Sequence, residues 1–158
     1  MFRELSRRKQ QLSQEESIGI LKNEPRGILS LMGDEGWPYG IPMDHWYCEE
    51  DGCLYFHSGK KGHKIDAMNR CDKASFCVCD QGYHAGNDWF LTIKSVIVFG
   101  RIEIIADFDR AMAITRQLSL KYTRDEAYID WEIKESGKNT LVFRLVPEHI
   151  TGKLVKET

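Results

Sequence analysis

No uninterrupted apolar stretch in this 158-residue chain is longer than four residues, the length of Val96-Ile97-Val98-Phe99. A helix needs about 20 mostly apolar residues to cross a bilayer, so no membrane partner is expected. The basic N-terminal stretch from Met1 to Lys9 has no apolar run behind it, which argues against a secretory signal. Positive charge is not in excess either: 22 Lys and Arg stand against 24 Asp and Glu, a formal net charge of −2. Binding to a polyanion draws on a basic surplus to release counterions, so a nucleic-acid partner is disfavoured. Repeats, linkers and low-complexity tracts are also missing, and residues 1–158 read as a single domain.

Matched cysteine pairs are lacking as well. Cys48, Cys53, Cys71, Cys77 and Cys79 are odd in number, and reduced thiols in a cytoplasmic protein are the simplest expectation. Zinc usually takes two sets of ligands spaced two to four residues apart. Here Cys77-Val78-Cys79 is a C-x-C inside an apolar strand, and Cys48 and Cys53 flank a turn with no second pair to match. No metal site is expected; small buried thiols are.

What is present is a series of strands joined by tight turns. Ser13-Gln14-Glu15-Glu16 reads as a capping box ahead of a short helix that Pro25 ends. Strands are predicted over Gly27 to Met32, Tyr39 to Tyr47 and Cys53 to His57, separated by the turns Gly33-Asp34-Glu35-Gly36 and Glu49-Glu50-Asp51-Gly52. A helix follows from about His63 to Asn69, then a strand over Lys73 to Asp80 and a long one over Ser95 to Ala106. Gly100 in that strand suggests a bend or a close backbone approach. Asp107 or Asp109 can cap a helix carrying the stripe Ala111, Ile114, Leu118 and Tyr122. The polar segment Arg124 to Lys134 reads as a short helix or as an ordered excursion, and a last strand, Leu141 to Val146, should stop at Pro147. The fold class is α+β, mainly β: an antiparallel barrel with flanking helices.

The chemistry concentrates after the third strand. Phe56-His57-Ser58-Gly59-Lys60-Lys61-Gly62-His63-Lys64 sets hydroxyl, imidazole and ammonium groups beside a helix start. Free amides with the helix dipole behind them attract an anion, the glycines permit close approach, and Lys64 can lean over it as a point charge. The same stretch can also be a solvated basic turn.

Three motifs in order carry a family resemblance: Gly36-Trp37-Pro38-Tyr39-Gly40-Ile41-Pro42-Met43, Tyr55-Phe56-His57-Ser58 through Gly62-His63-Lys64, and Ser95-Val96-Ile97-Val98-Phe99-Gly100. Together they resemble the flavin-binding split-barrel superfamily of the pyridoxamine 5′-phosphate oxidases, nearest to its nitroimidazole-resistance (Nim) branch. The resemblance implies a six-stranded split barrel that forms a homodimer, with a flavin in each cleft between subunits, FMN as a rule and FAD as an alternative. Carried over, His57, Ser58, His63 and Lys64 would meet the ribityl phosphate or the ring edge. Pro42, Met43 and Asp44 would line the ring through their backbone, and Ser95 and Val96 would add contacts. Many relatives have arginine or lysine where this chain has His63, and an imidazole lacks the arginine fork.

His57 is the candidate catalytic residue, as a flavin contact or a proton donor; its alternative is a structural residue at a strand end. Trp131 is the tryptophan placed to reach a partner's cleft, although most tryptophans of a small barrel are core or interface. Arg144 resembles an arginine near the end of pyridoxamine phosphate oxidases, but their preceding tryptophan pattern is missing. Two functions follow. One is a flavin-dependent oxidoreductase passing electrons to a small-molecule substrate such as a nitroimidazole, and the other is a protein that holds or senses flavin without turnover. A G-x-G-x-x-G fingerprint is absent, so a nicotinamide would visit only transiently.

Overall fold

Ser13 caps the first helix reciprocally: its side chain accepts from the Glu16 amide, and the Glu16 carboxylate accepts from the Ser13 amide at 3.1 Å. In the computed structural model, which describes residues 1–157, that helix is α1 (Gln14–Asn23). Strands β1 (Arg26–Met32) and β2 (Pro38–Asp44) form a hairpin, and a two-residue strand β3 (Trp46–Tyr47) precedes β4 (Leu54–Gly59). Helix α2 (His63–Arg70), β5 (Lys73–Cys79) and β6 (Leu91–Ile104) follow. The chain then runs through α3 (Phe108–Leu120), α4 (Glu126–Ser136) and β7 (Thr140–Glu157).

All neighbouring strands are antiparallel, in the order β2-β1-β5-β6-β7-β4-β3. The stretch from Tyr39 to Tyr47, read as one strand, is two. β2 pairs with β1 at one edge of the sheet and β3 with β4 at the other, so the chain crosses between edges at His45 and curls the sheet into a split barrel. That short β3 makes the count seven strands where six were expected.

The inward faces meet in one core. Phe56 packs edge-on to Phe76 and stacks with Phe143, at centroid separations of 5.0 and 5.2 Å, and all three are wholly buried. Leu29, Leu54, Val78, Val96, Val98 and Leu145 fill the space around them. A second cluster lies on the opposite face of β4 and β7, where Cys53, Tyr55 and Val142 receive Ala111, Met112 and Ile114 of α3.

Several sequence expectations need correction. Pro147 does not stop the last strand: β7 continues to Glu157, because a register shift between Phe99 and Gly100 lets the proline, which has no amide hydrogen, pass the ladder. Gly100 is obligatory there, since a Cβ would collide with the Val146 carbonyl. Of the two readings of the polar segment the helix holds: α4, started by the Asp125 side chain accepting from the Tyr128 amide at 3.0 Å. Asp107, not Asp109, caps α3, and Tyr122 lies beyond that helix's end. Among the five cysteines only Cys53 is buried, and burial pushes its thiol up to about 11. No helix among the described residues is long and apolar enough to cross a membrane. Among those residues no three His, Cys, Asp or Glu side chains gather as metal ligands.

Candidate functional site

Strand β4 delivers its end directly into α2 through Lys60, Lys61 and Gly62. Gly62 stands at the N-cap with φ 113°, a conformation that strains other residues, and it has no side chain with which to cap. Its carbonyl accepts from Ile65 and Asp66, which leaves the His63 and Lys64 amides without a capping acceptor. Lys64, in this first turn, is half-buried. Among the described residues its one polar contact is the Met43 sulfur, 3.4 Å away, and burial alone lowers its pKa. A desolvated cation without a counter-charge among the described residues, carried on an uncapped first turn, is a site that calls for an anion.

A cleft of about 300 Å³ opens alongside, lined by Arg26, Pro42, Met43, Asp44 and His57. β2 is an edge strand, so one side of its backbone has no strand partner and is free to hydrogen-bond a planar ligand. Asp44 is held by its cross-strand neighbour Arg26, whose Nε donates to Oδ1 at 2.7 Å. The packing around His57 lowers its pKa, with burial the largest cause and Lys64 adding to it against Asp44 and Glu132. The shift favours the neutral imidazole, which can both donate and accept a hydrogen bond.

The remaining candidates are dispersed. Ser58 lies on the opposite face of β4 from His57, and its hydroxyl donates to the Gly59 carbonyl at 2.9 Å. The His63 ring stacks on Tyr39 with centroids 4.0 Å apart, and its Nε2 is 3.6 Å from an Asp34 oxygen. Ser95 is half-buried on the outer sheet face, paired with Cys79 and Lys153, and does not line the cleft. Val96 is wholly buried in the core, with no side-chain surface to offer a ligand. Trp131 is 55% exposed on α4 beside Tyr128 and also lies away from the cleft. Pro42, Met43, Asp44, His57 and Lys64 are thus the candidates that the fold brings together.

Residues 13–154 match the sequence model of pyridoxamine 5′-phosphate oxidase. The chain belongs to that family. Solved structures agree with this pyridoxamine 5′-phosphate oxidase fold. A candidate 5-nitroimidazole antibiotic resistance protein from Bacteroides thetaiotaomicron superposes with a TM-score of 0.78 at 20% identity, covering 93% of this chain and 87% of that one. An FAD-binding protein from Mesorhizobium loti gives 0.63 at 26% identity, covering 92% and 96%. An FAD- and heme-binding protein from Mycobacterium smegmatis gives 0.73 at 19% identity, covering 92% and 73%. No curated protein matches the sequence.

Two further arginines bear on the pyridoxamine 5′-phosphate oxidase comparison. Arg144 is committed to ion pairs: its Nη2 donates to Glu103 at 2.7 Å and its Nη1 to Asp51 at 3.3 Å, with Tyr55 donating to the same Asp51 carboxylate. Those contacts leave no free fork for a substrate phosphate. Arg26, by contrast, lines the cleft and was not singled out from the sequence. Its signal was available in the hairpin register, which sets it opposite Asp44.

Proposed function

We propose that this protein binds a flavin, with FMN as the preferred form, and acts as an oxidoreductase toward small electrophiles such as nitroimidazoles. The observation that carries the reading is Lys64, half-buried with no acidic partner among the described residues, in the uncapped first turn of α2 and with its ammonium against Met43 of the Pro42–Asp44 cleft. In this reading Lys64 and the α2 amides bind the flavin phosphate. The free edge of β2 hydrogen-bonds the ring, and His57 donates a hydrogen bond beside it. The bound flavin supplies two-electron redox chemistry, while the protein orients it and controls access of water and oxygen. The FAD-binding protein of Mesorhizobium loti supports the cofactor class and keeps FAD as the alternative.

The outer sheet face supports a homodimer. Ile28, Cys77 and Ile97 are cross-strand neighbours in one row over β1, β5 and β6, continued at one end by Pro42 and flanked by Phe99. Ile28, Ile97 and Phe99 are 42%, 38% and 39% exposed. An isologous contact through this face would cover the row and complete the adjoining cleft from the second subunit.

Anaerobic mixing of FMN-loaded protein with NADH or NADPH tests the activity. Bleaching of the flavin band, followed by its return on adding a nitroimidazole, is the expected result. Tight FMN binding without reduction by either nucleotide would refute turnover with these donors and favour a flavin-holding protein.

A further inference from the structure

A second cavity adjoins the cleft. It has a volume of about 250 Å³ and lies between α3, α4 and the ends of β4 and β7, with His57 in its wall as well as in that of the cleft. Gly137, just past the end of α4, lies close against α3: a Cβ there would sit 2.7 Å from the Met112 sulfur. The cavity is small, just under the usual volume of a pocket for a drug-sized molecule.

Its polar groups are biased toward accepting. The Thr115 hydroxyl spends its proton on the Ala111 carbonyl and the Thr140 hydroxyl on the Ser136 carbonyl, both at 2.9 Å. Their oxygens therefore turn lone pairs to the space. Tyr128 donates to Glu132 at 3.2 Å, so its proton is also used. Glu132 itself is half-buried and forms no salt bridge with any described residue. Among the described residues no lysine or arginine lines the cavity, and Ile129 and Ile133 supply its apolar wall. A partly desolvated carboxylate without a cation is costly, as is an ammonium without an anion. Glu132 on one side of His57 is the counterpart of Lys64 on the other.

We propose that the α3–α4 cavity is a binding site for a small organic cation, a protonated amine carried on an apolar ring or chain, with Glu132 as its counter-ion. The site stands on its own lining; only its place beside a redox cofactor rests on the flavin reading. The ammonium donates to Glu132 and to the spent hydroxyls, the apolar part lies on Ile129 and Ile133, and His57 separates the ligand from the cleft. The Glu132 carboxylate discriminates against anions.

Three isosteric probes test this by calorimetric titration of the purified full-length protein, with and without added FMN: benzylamine, benzyl alcohol and benzoate. Benzylamine is expected to bind at least tenfold tighter than benzyl alcohol, and benzoate not measurably. Glu132→Gln should abolish the preference for the amine, and Glu132→Asp should retain most of it. Equal affinities for the three probes, no binding of benzylamine, or an amine preference that survives Glu132→Gln would each overturn the proposal. The order of the probes on the wild-type protein decides the matter even if Glu132→Gln fails to fold. Binding without FMN tests the cavity alone. A benzylamine-induced change in the visible spectrum of bound FMN tests its adjacency, so a failure of the flavin reading is seen separately.

Discussion

His45 offers a quantitative test of how the split barrel is closed. It sits where the chain crosses from one edge of the sheet to the other, wholly buried, with its ring edge-on to Phe76 at 4.8 Å. Its Nε2 is 2.7 Å from the Leu21 carbonyl and so carries the proton, while Nδ1 is buried without a partner among the described residues. Lys121 stands 3.4 Å from the ring and donates to the carbonyls of Glu24 and His45. Burial first, and then the Lys121 charge, pull the imidazole from 6.5 down to about 4. Above about pH 6.5 the ring is neutral in the folded and unfolded chain alike, and it adds no pH dependence. Below that, the unfolded chain takes up a proton that the native site refuses, so stability falls as the pH drops toward 4. A tenfold difference in proton affinity is about 1.4 kcal/mol, so the span from 6.5 to about 4 is worth about 3 kcal/mol.

His45→Gln keeps an amide donor for the Leu21 carbonyl and does not titrate. Urea unfolding of wild type and variant at matched protein concentration, in steps from pH 7.5 to 4, isolates the difference. Glu16 and Asp51, whose carboxyls hydrogen bonds lower, also lose stability in acid but do so in both proteins. The variant starts lower at pH 7.5, and its curve is shallower by about 3 kcal/mol across the range. Parallel curves would show that His45 titrates normally, and the buried crossing would be wrong.

Three further outcomes are expected. Lys64→Ala should weaken FMN binding by about 1–3 kcal/mol, the scale of a charge-assisted hydrogen bond, and riboflavin binding far less; equal losses would remove Lys64 from the phosphate. Holoprotein sedimenting at low micromolar concentration should show about twice the 18.3 kDa chain mass, and Ile97→Lys should convert it to a monomer that loses flavin. A wild-type monomer holding flavin tightly would contradict the shared cleft. His57→Gln should retain flavin and reduce turnover several-fold, because glutamine keeps a donor; a loss of about 10²–10⁴-fold with a flattened pH profile would make it the proton donor.

Local patterns made much of this legible. The capping box of α1, the Gly27–Met32 strand and the glycine-bracketed entry to α2 are encoded within a few residues, and the structure follows them. Long-range pairing leaves no such local pattern. Pro147 reads as a terminator, and only the bulge beside it in β7, where Glu148 is skipped between the partners of Phe99 and Gly100, explains why the strand runs on. His45 gives no sign of dividing a strand, because the division comes from β3 pairing with β4 across the split. At the candidate site, Lys64 was visible through its helix start. Alternation along β4 and β6 then sent Ser58 and Val96 inward, away from the faces of His57 and Ser95. The α3–α4 cavity had no sequence signal: Glu132 and His57 are brought together only by the docking of α4.

The central claim is that the Lys64 loop and the Pro42–Asp44 cleft hold a flavin. Its most direct measurement is the absorption spectrum of the purified protein, followed by titration with FMN and gel filtration to remove free ligand. Bands at about 375 and 450 nm that stay with the protein, near one flavin per chain, are the predicted result. A colourless protein that retains neither FMN nor FAD after saturation would contradict the account.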